Sequence, residues 1–294
     1  MSLEGEATTS PGESATLRAT HAIGTVFVLV MENHSFAELR GNRDAPFING
    51  VLLRDGAHAE RYFDANVHPS EPNYVWMEAG NNLAILDDDD PRLNHRTTRK
   101  HFVRLLEDAG VTWKSYQEGI SGADCPLSGE NGYAAKHNPM VFFDDVTDGL
   151  NASSPGCIAH VRPYAELAAD LAMDHVAAYN FITPTLCHDM HDDCGGGAIA
   201  NGDAWLAQAV PAIVASAAYQ RGGALFITWD ESEDGEAPLG MFVLSPFARP
   251  GYAATTRFDH SSLLRTLQEV FAVTPYLRGA SSATGLGEMF RSFP

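Results

Sequence analysis

Basic side chains are scarce in this chain: 19 Lys and Arg face 38 Asp and Glu, a formal charge of −19 at pH 7. So acidic a molecule repels a phosphate backbone and has few cations for counterion release, which excludes duplex nucleic acid as a partner. Long apolar runs are also lacking. The longest candidate, Val26 to Met31, is strand-sized and far short of the ~20 residues that span a bilayer, so no transmembrane segment is expected. Cysteine is limited to Cys125, Cys157, Cys187 and Cys194, an even number that suits two bridges and an oxidising compartment, secreted or periplasmic.

What is present is a core. With 45% hydrophobic and 19% charged residues over 294 positions, the chain buries too much apolar surface to remain disordered as a whole. Residues 1–20 have neither a basic nor an apolar signal-peptide region and read as an expression scar and flexible lead, standing where a signal peptide was removed. Residues 21–294 read as one domain. Ile23 to Met31 is β-branched and continuously apolar, as a strand buried on both faces should be. A helix is expected over Thr98 to Ala109, then strands and helices alternate: Val111–Tyr116, Tyr164–Asp174, Val176–Thr183, Asp203–Tyr219, Ala224–Trp229, Gly240–Leu244 and Ser261–Val270. Pro211 should kink or divide the longest helix. This alternation predicts an α/β fold, a three-layer α/β/α sandwich around a mostly parallel sheet. Between about 119 and 162 periodicity is lost, and so long an irregular insertion is expected to cover a site.

In open parallel sheets ligands gather beyond the carboxyl ends of strands. Glu32-Asn33 and Asp230-Glu231 each follow a buried run, and four such oxygen-bearing side chains can converge on one hard divalent cation. Asp230 to Gly235 starts like a calcium loop but carries Met241 at the twelfth position and has strand-like flanks, which rejects that reading. The run Asp87 to Asp90 reads as a solvated acidic turn. Ser70 sits where a helix begins, with Pro72 in its first turn, so its hydroxyl is either a cap or a group facing a phosphate cradled by the helix end. Cys187 to Cys194 holds two His between two Cys. The adjacency of Cys187 and His188 departs from zinc-site spacing, so a disulfide closing this small loop is the better reading. Cys125 with Cys157 would then tie down the long irregular segment.

The blocks V-L-V-M-E-N-H-S-F (28–36), H-P-S-E-P-N-Y (68–74), Y-A-A-K-H-N-P-M-V-F-F (133–143), C-H-D-M-H-D-D-C (187–194), N-G-D-A-W-L (201–206), T-W-D-E-S (228–232) and D-H-S-S-L-L-R-T (259–266) occur in that order. Together they resemble the phosphoesterase family of acid phosphatases and nonspecific phospholipases C, within the alkaline-phosphatase-like superfamily. The resemblance implies that Glu32, Asn33, Asp230 and Glu231 bind a divalent ion (Ca, Mg, Mn or Zn) and that Ser70 is the nucleophile. It implies that His137 and His191 line the phosphate site and that Asn73, His188 and His260 bind substrate. Where some relatives have two aspartates this chain has Asp230-Glu231, whose longer second side chain alters coordination or withdraws from it. The expected activity is hydrolysis of a small phosphate monoester. The rivals are a phospholipase C-type diesterase acting on a phospholipid head group, and an exported acidic metal- or carbohydrate-binding protein without turnover. The sequence sets no oligomeric state.

Overall fold

The computed structural model describes residues 23–232 and 235–293; the expected lead, 1–20, lies outside them. The apolar run near the start forms β1, Thr25–Met31, buried from Val26 onward, because a strand covered on both faces accepts only apolar side chains. β2 (Ala57–Ala59), β3 (Trp113–Gln117), β4 (Val161–Pro163), β5 (Tyr179–Thr183), β6 (Gly223–Trp229), β7 (Met241–Leu244) and β8 (Ala253–Ala254) join it. Among the described residues these eight make one sheet in the order β4-β3-β5-β1-β6-β7-β2-β8. Every neighbouring pair is parallel except those involving β7, which runs antiparallel to β6 and to β2.

Two helical layers cover the sheet. In one, α1 (Ser70–Ala79) packs on α2 (Phe102–Asp108) and on α5 (His260–Val270); in the other, α3 (Leu167–Met173) packs on α4 (Ala198–Ala215). The fold is thus a three-layer α/β/α sandwich, and β1 at its centre delivers its carboxyl end to the middle of one rim.

Three local readings need correction. The helix expected from Thr98 starts only at Phe102, because His101 is extended and its ring is drawn inward between Glu78 (3.1 Å) and Asp145 (2.9 Å), stacked on Phe143. That buried bridge ties the far end of α1 to the insertion. The long helix starts five residues earlier than expected, at Ala198, continues through Pro211, and ends at Ser216. There the backbone turns extended and the Ser216 hydroxyl caps a new short helix, Ala217–Gln220, by accepting from the Tyr219 N–H. The insertion is not shapeless. It is a chain of short helical turns around its own apolar cluster, including Ile120, Leu127, Val141 and Phe142, beside the Cys125–Cys157 disulfide. Cys187 and Cys194 form the second bridge, so both expected pairings are present.

Candidate active site

The carboxyl ends of β1 and β6 lie side by side, register-paired from Thr25 with Gly223 to Met31 with Trp229, so Glu32 and Asp230 leave the sheet as neighbours. Beyond β1 the backbone turns sharply at Asn33, whose φ of 46° lies in the left-handed region that asparagine tolerates better than most residues. Its N–H donates to Asp230 Oδ1 at 3.2 Å. Asp189 closes the ring, its carbonyl accepting the Glu32 N–H at 2.8 Å.

Ser70 is the first residue of α1, not its cap: Pro69 occupies the cap position, and the Ser70 hydroxyl donates instead to Glu32 Oε2 at 3.0 Å. The helix end is also a poorer anion cradle than its position suggests. The Glu71 N–H is already spent on Asp88 Oδ1 at 2.9 Å and Pro72 has none to offer. Asp88 in addition accepts from Lys136 Nζ at 2.7 Å, so this part of the expected solvated turn is a structural anchor.

His137 comes from the insertion and stands between two carboxylates, its Nε2 3.2 Å from Glu32 Oε1 and its Nδ1 3.4 Å from Asp189 Oδ2. It stacks on Tyr74 of α1 at 4.9 Å. His191 lies next to it, ring centroids 6.5 Å apart, with its N–H on Asp189 Oδ1 and its Nδ1 on Asp192. Glu231 is set back. Its Oε2 accepts from His68 Nδ1 (2.6 Å) and from the Asn73 amide (3.1 Å). His260 lies deeper still. Its Nε2 must donate to the Asp230 carbonyl at 2.6 Å, so its Nδ1 accepts from the Tyr62 hydroxyl at 3.0 Å. His188 is on the other side of the Asp189 loop, bound to Glu118 at 2.8 Å.

Thus Glu32, Asn33, Ser70, Asp230 and His137 meet in one place with His191 beside them; Asn73, Glu231 and, from beneath, His260 brace them, and His188 stands apart. Sequence reasoning assigned no role to Asp189, His68 or Lys136. Asp189 is one of three aspartates in the stapled loop and nothing local sets it apart from Asp192 and Asp193, while His68 and Lys136 owe their positions to loops that carry no periodic signal.

The electrostatics are those of an unbalanced acidic ring. Burial, then Asp230 and Asp189, push the Glu32 carboxyl far above its usual range, and burial with Glu231 does the same to Asp230. Burial raises Asp189 and Glu231 each to about 7. Burial, reinforced by Lys136 and His191, holds the His137 imidazole neutral. Several of these buried atoms have no hydrogen-bond partner: Glu32 Oε1, Asn33 Oδ1, Asp189 Oδ2, Asp230 Oδ2 and His137 Nε2. Unpaired buried oxygens are costly, and three of them belong to residues expected to hold a cation, so the donor set fits a hard divalent ion. Among the described residues no three His, Cys, Asp or Glu side chains already stand at metal-binding spacing; an ion here would have to draw on amide or hydroxyl oxygens as well.

Comparisons with known proteins identify the family and the fold. A model of the Phosphoesterase family matches residues 42–274. The phosphatidylinositol-3-phosphatase of Mycobacterium tuberculosis is 31% identical over 89% of this chain and 82% of its own length. The phosphate-repressible acid phosphatase of Penicillium chrysogenum is 27% identical over 74% of this chain, which spans about half of that protein (52%). A Vibrio parahaemolyticus protein of the alkaline phosphatase superfamily superposes with a TM-score of 0.61 at 10% identity, over 91% of this chain and 72% of that one, a likeness of fold alone.

Proposed function

The chain belongs to the Phosphoesterase family and is a phosphoric ester hydrolase, and from that premise we propose a metal-dependent phosphomonoesterase with Ser70 as nucleophile. The observation that carries this reading is the Ser70 hydroxyl, held 3.0 Å from Glu32 Oε2 inside a ring of unpartnered buried oxygens. A serine hydroxyl is a weak nucleophile at neutral pH and needs activation. Glu32, Asn33 and Asp230 would hold the ion, while Glu231, set back on His68 and Asn73, braces them. When bound, the ion supplies the positive charge that favours ionised Ser70 and offsets charge on the phosphoryl group.

The chain's own groups do the rest. Glu32 orients the Ser70 oxygen and takes its proton through Oε2 as that oxygen bonds to phosphorus and the bond to the alcohol oxygen breaks. His191, exposed at the rim, gives the alcohol oxygen its proton. Water then attacks the phosphoserine, releasing phosphate and restoring the hydroxyl; in this second step the proton on Glu32 returns to the serine oxygen, and the attacking water gives one of its own to His191. His137, buried and neutral, donates to a phosphoryl oxygen, its ring fixed by Tyr74. Asp189 is a positioning residue for both histidines. Export to the periplasm or medium is part of the proposal, supported by the two disulfides.

The test is a divalent-ion screen of chelated protein crossed with a panel of phosphate mono- and diesters. Restored monoester hydrolysis is expected. A preference for diesters would move the reading to phospholipase C-type chemistry, and hydrolysis untouched by chelation would remove the metal. Ion binding without turnover on any ester would leave a binding protein.

A further inference from the structure

Beside the acidic ring lies a cavity of about 480 Å³ that the chemistry above does not use. The Cys187–Cys194 disulfide forms one wall, so cavity and reaction centre share the loop that carries Asp189 and His191. Glu118, which lines it, directly follows β3, two strands from β1. At ~4.8 Å per strand it is about 10 Å from Glu32, the reach of a ring attached to a phosphate.

The lining is specific in kind. Tyr164 and Trp205 present an aromatic pair, centroids 5.0 Å apart. Glu118 is saturated: it accepts from His188 Nδ1, from Thr185 through both N–H and hydroxyl, and from Trp205 Nε1. That bond leaves His188 Nε2 free. The Asn201 side chain and the Tyr164 hydroxyl make no hydrogen bond among the described residues, although both border the cavity. Among the described residues lining it none is Lys or Arg.

We infer that this cavity is a subsite for a neutral polyhydroxylated group, a sugar or polyol, carried as the alcohol of the phosphate ester cleaved next door; the inference rests on the phosphoesterase reading. The argument is one of complementarity. A second phosphate would meet a carboxylate and no cation. A quaternary ammonium needs an aromatic enclosure and an available negative charge, whereas here Trp205 is largely buried and the Glu118 oxygens are already engaged. An amide, a phenol and a free imidazole nitrogen offer the mixed donors and acceptors that vicinal hydroxyls require, and the single partly exposed ring of Tyr164, too little to enclose a cation, can receive the C–H face of a sugar ring.

The experiment compares kcat/KM for glucose phosphate, phosphocholine and nitrophenyl phosphate in the parent, in Asn201→Ala and in Tyr164→Ala. Saturation-transfer NMR with free glucose is run on all three proteins, and melting curves confirm folding. The parent should favour glucose phosphate, and each variant should lower the glucose-to-nitrophenyl ratio about tenfold, equivalent to one lost hydrogen bond of ~1.4 kcal/mol. Glucose transfer should be seen in the parent and weakened in both variants. An unchanged ratio in both folded variants overturns the inference, as does a phosphocholine preference that they abolish. If the parent hydrolyses no ester, the phosphoesterase reading fails, and the glucose signal alone then supports or overturns the subsite.

Discussion

Ser70→Ala separates two roles of one hydroxyl, and the structure sets the size of each loss. Because Pro69 and not Ser70 is the cap of α1, the variant forfeits no capping energy. What it loses in stability is one bond to a buried carboxylate, Ser70 Oγ to Glu32 Oε2 at 3.0 Å, about 1–2 kcal/mol. Removal of the nucleophile should instead reduce turnover by a factor on the order of 10³ or more, about 4 kcal/mol of transition-state stabilisation. The assay pairs phosphate release with thermal melts, and rapid quenching of the parent should trap phosphate on the peptide containing Ser70. Vanadate should still bind the variant, since the other ring residues remain. A folded Ser70→Ala protein that keeps near-parental hydrolysis refutes the covalent route and shifts the attack to water.

Glu32→Gln and Asp230→Asn should raise the melting point of chelated protein by removing carboxyls that burial disfavours, yet abolish the upward shift that a divalent ion gives the parent. That shift is worth about 2.7 kcal/mol at a hundred times Kd, and its survival in either variant would exclude that ligand. Glu71 is buried with both oxygens unpartnered, and burial pushes its carboxyl up to about 9. With the folded value above the unfolded one, its contribution is intact below about pH 4.5 and is lost as pH rises through 9. Glu71→Gln should therefore gain on the parent from pH 5 upward, by up to about 3 kcal/mol at pH 7; urea titrations that run parallel across this range would contradict the assignment. Thiol titration of unfolded, unreduced protein should find no free cysteine. Cys187→Ser with Cys194→Ser should cost about 2 kcal/mol and lower turnover through the Asp189 loop; undiminished kcat would show that the staple is not needed for the ring.

The sheet was legible because a strand buried on both faces has one sequence solution, as Val26 to Met31 shows, and because residues after such runs must emerge at the same rim. That logic brought Glu32, Asn33 and Asp230 to one rim as candidates, while Glu231, expected with them, is held back by His68 and Asn73. Helix boundaries were blurred where a side chain overrode propensity, as at His101, pulled out of a helix by two carboxylates, and at Ser216, which ended a helix that Pro211 did not. His68, Lys136 and Glu118 were invisible for another reason. Their partners lie 163, 48 and 70 residues away, and no local pattern encodes such a meeting.

That separation has a consequence in time. Glu32 and Asp230 enter at opposite ends of the chain, and β1 cannot pair with β6 until residue 223 has been made. The insertion must also dock before His137 reaches Glu32. Contacts this distant in sequence form late, since each must first close a large loop. The acidic ring is therefore a product of completed folding, absent from the nascent chain until residue 230 has joined the sheet.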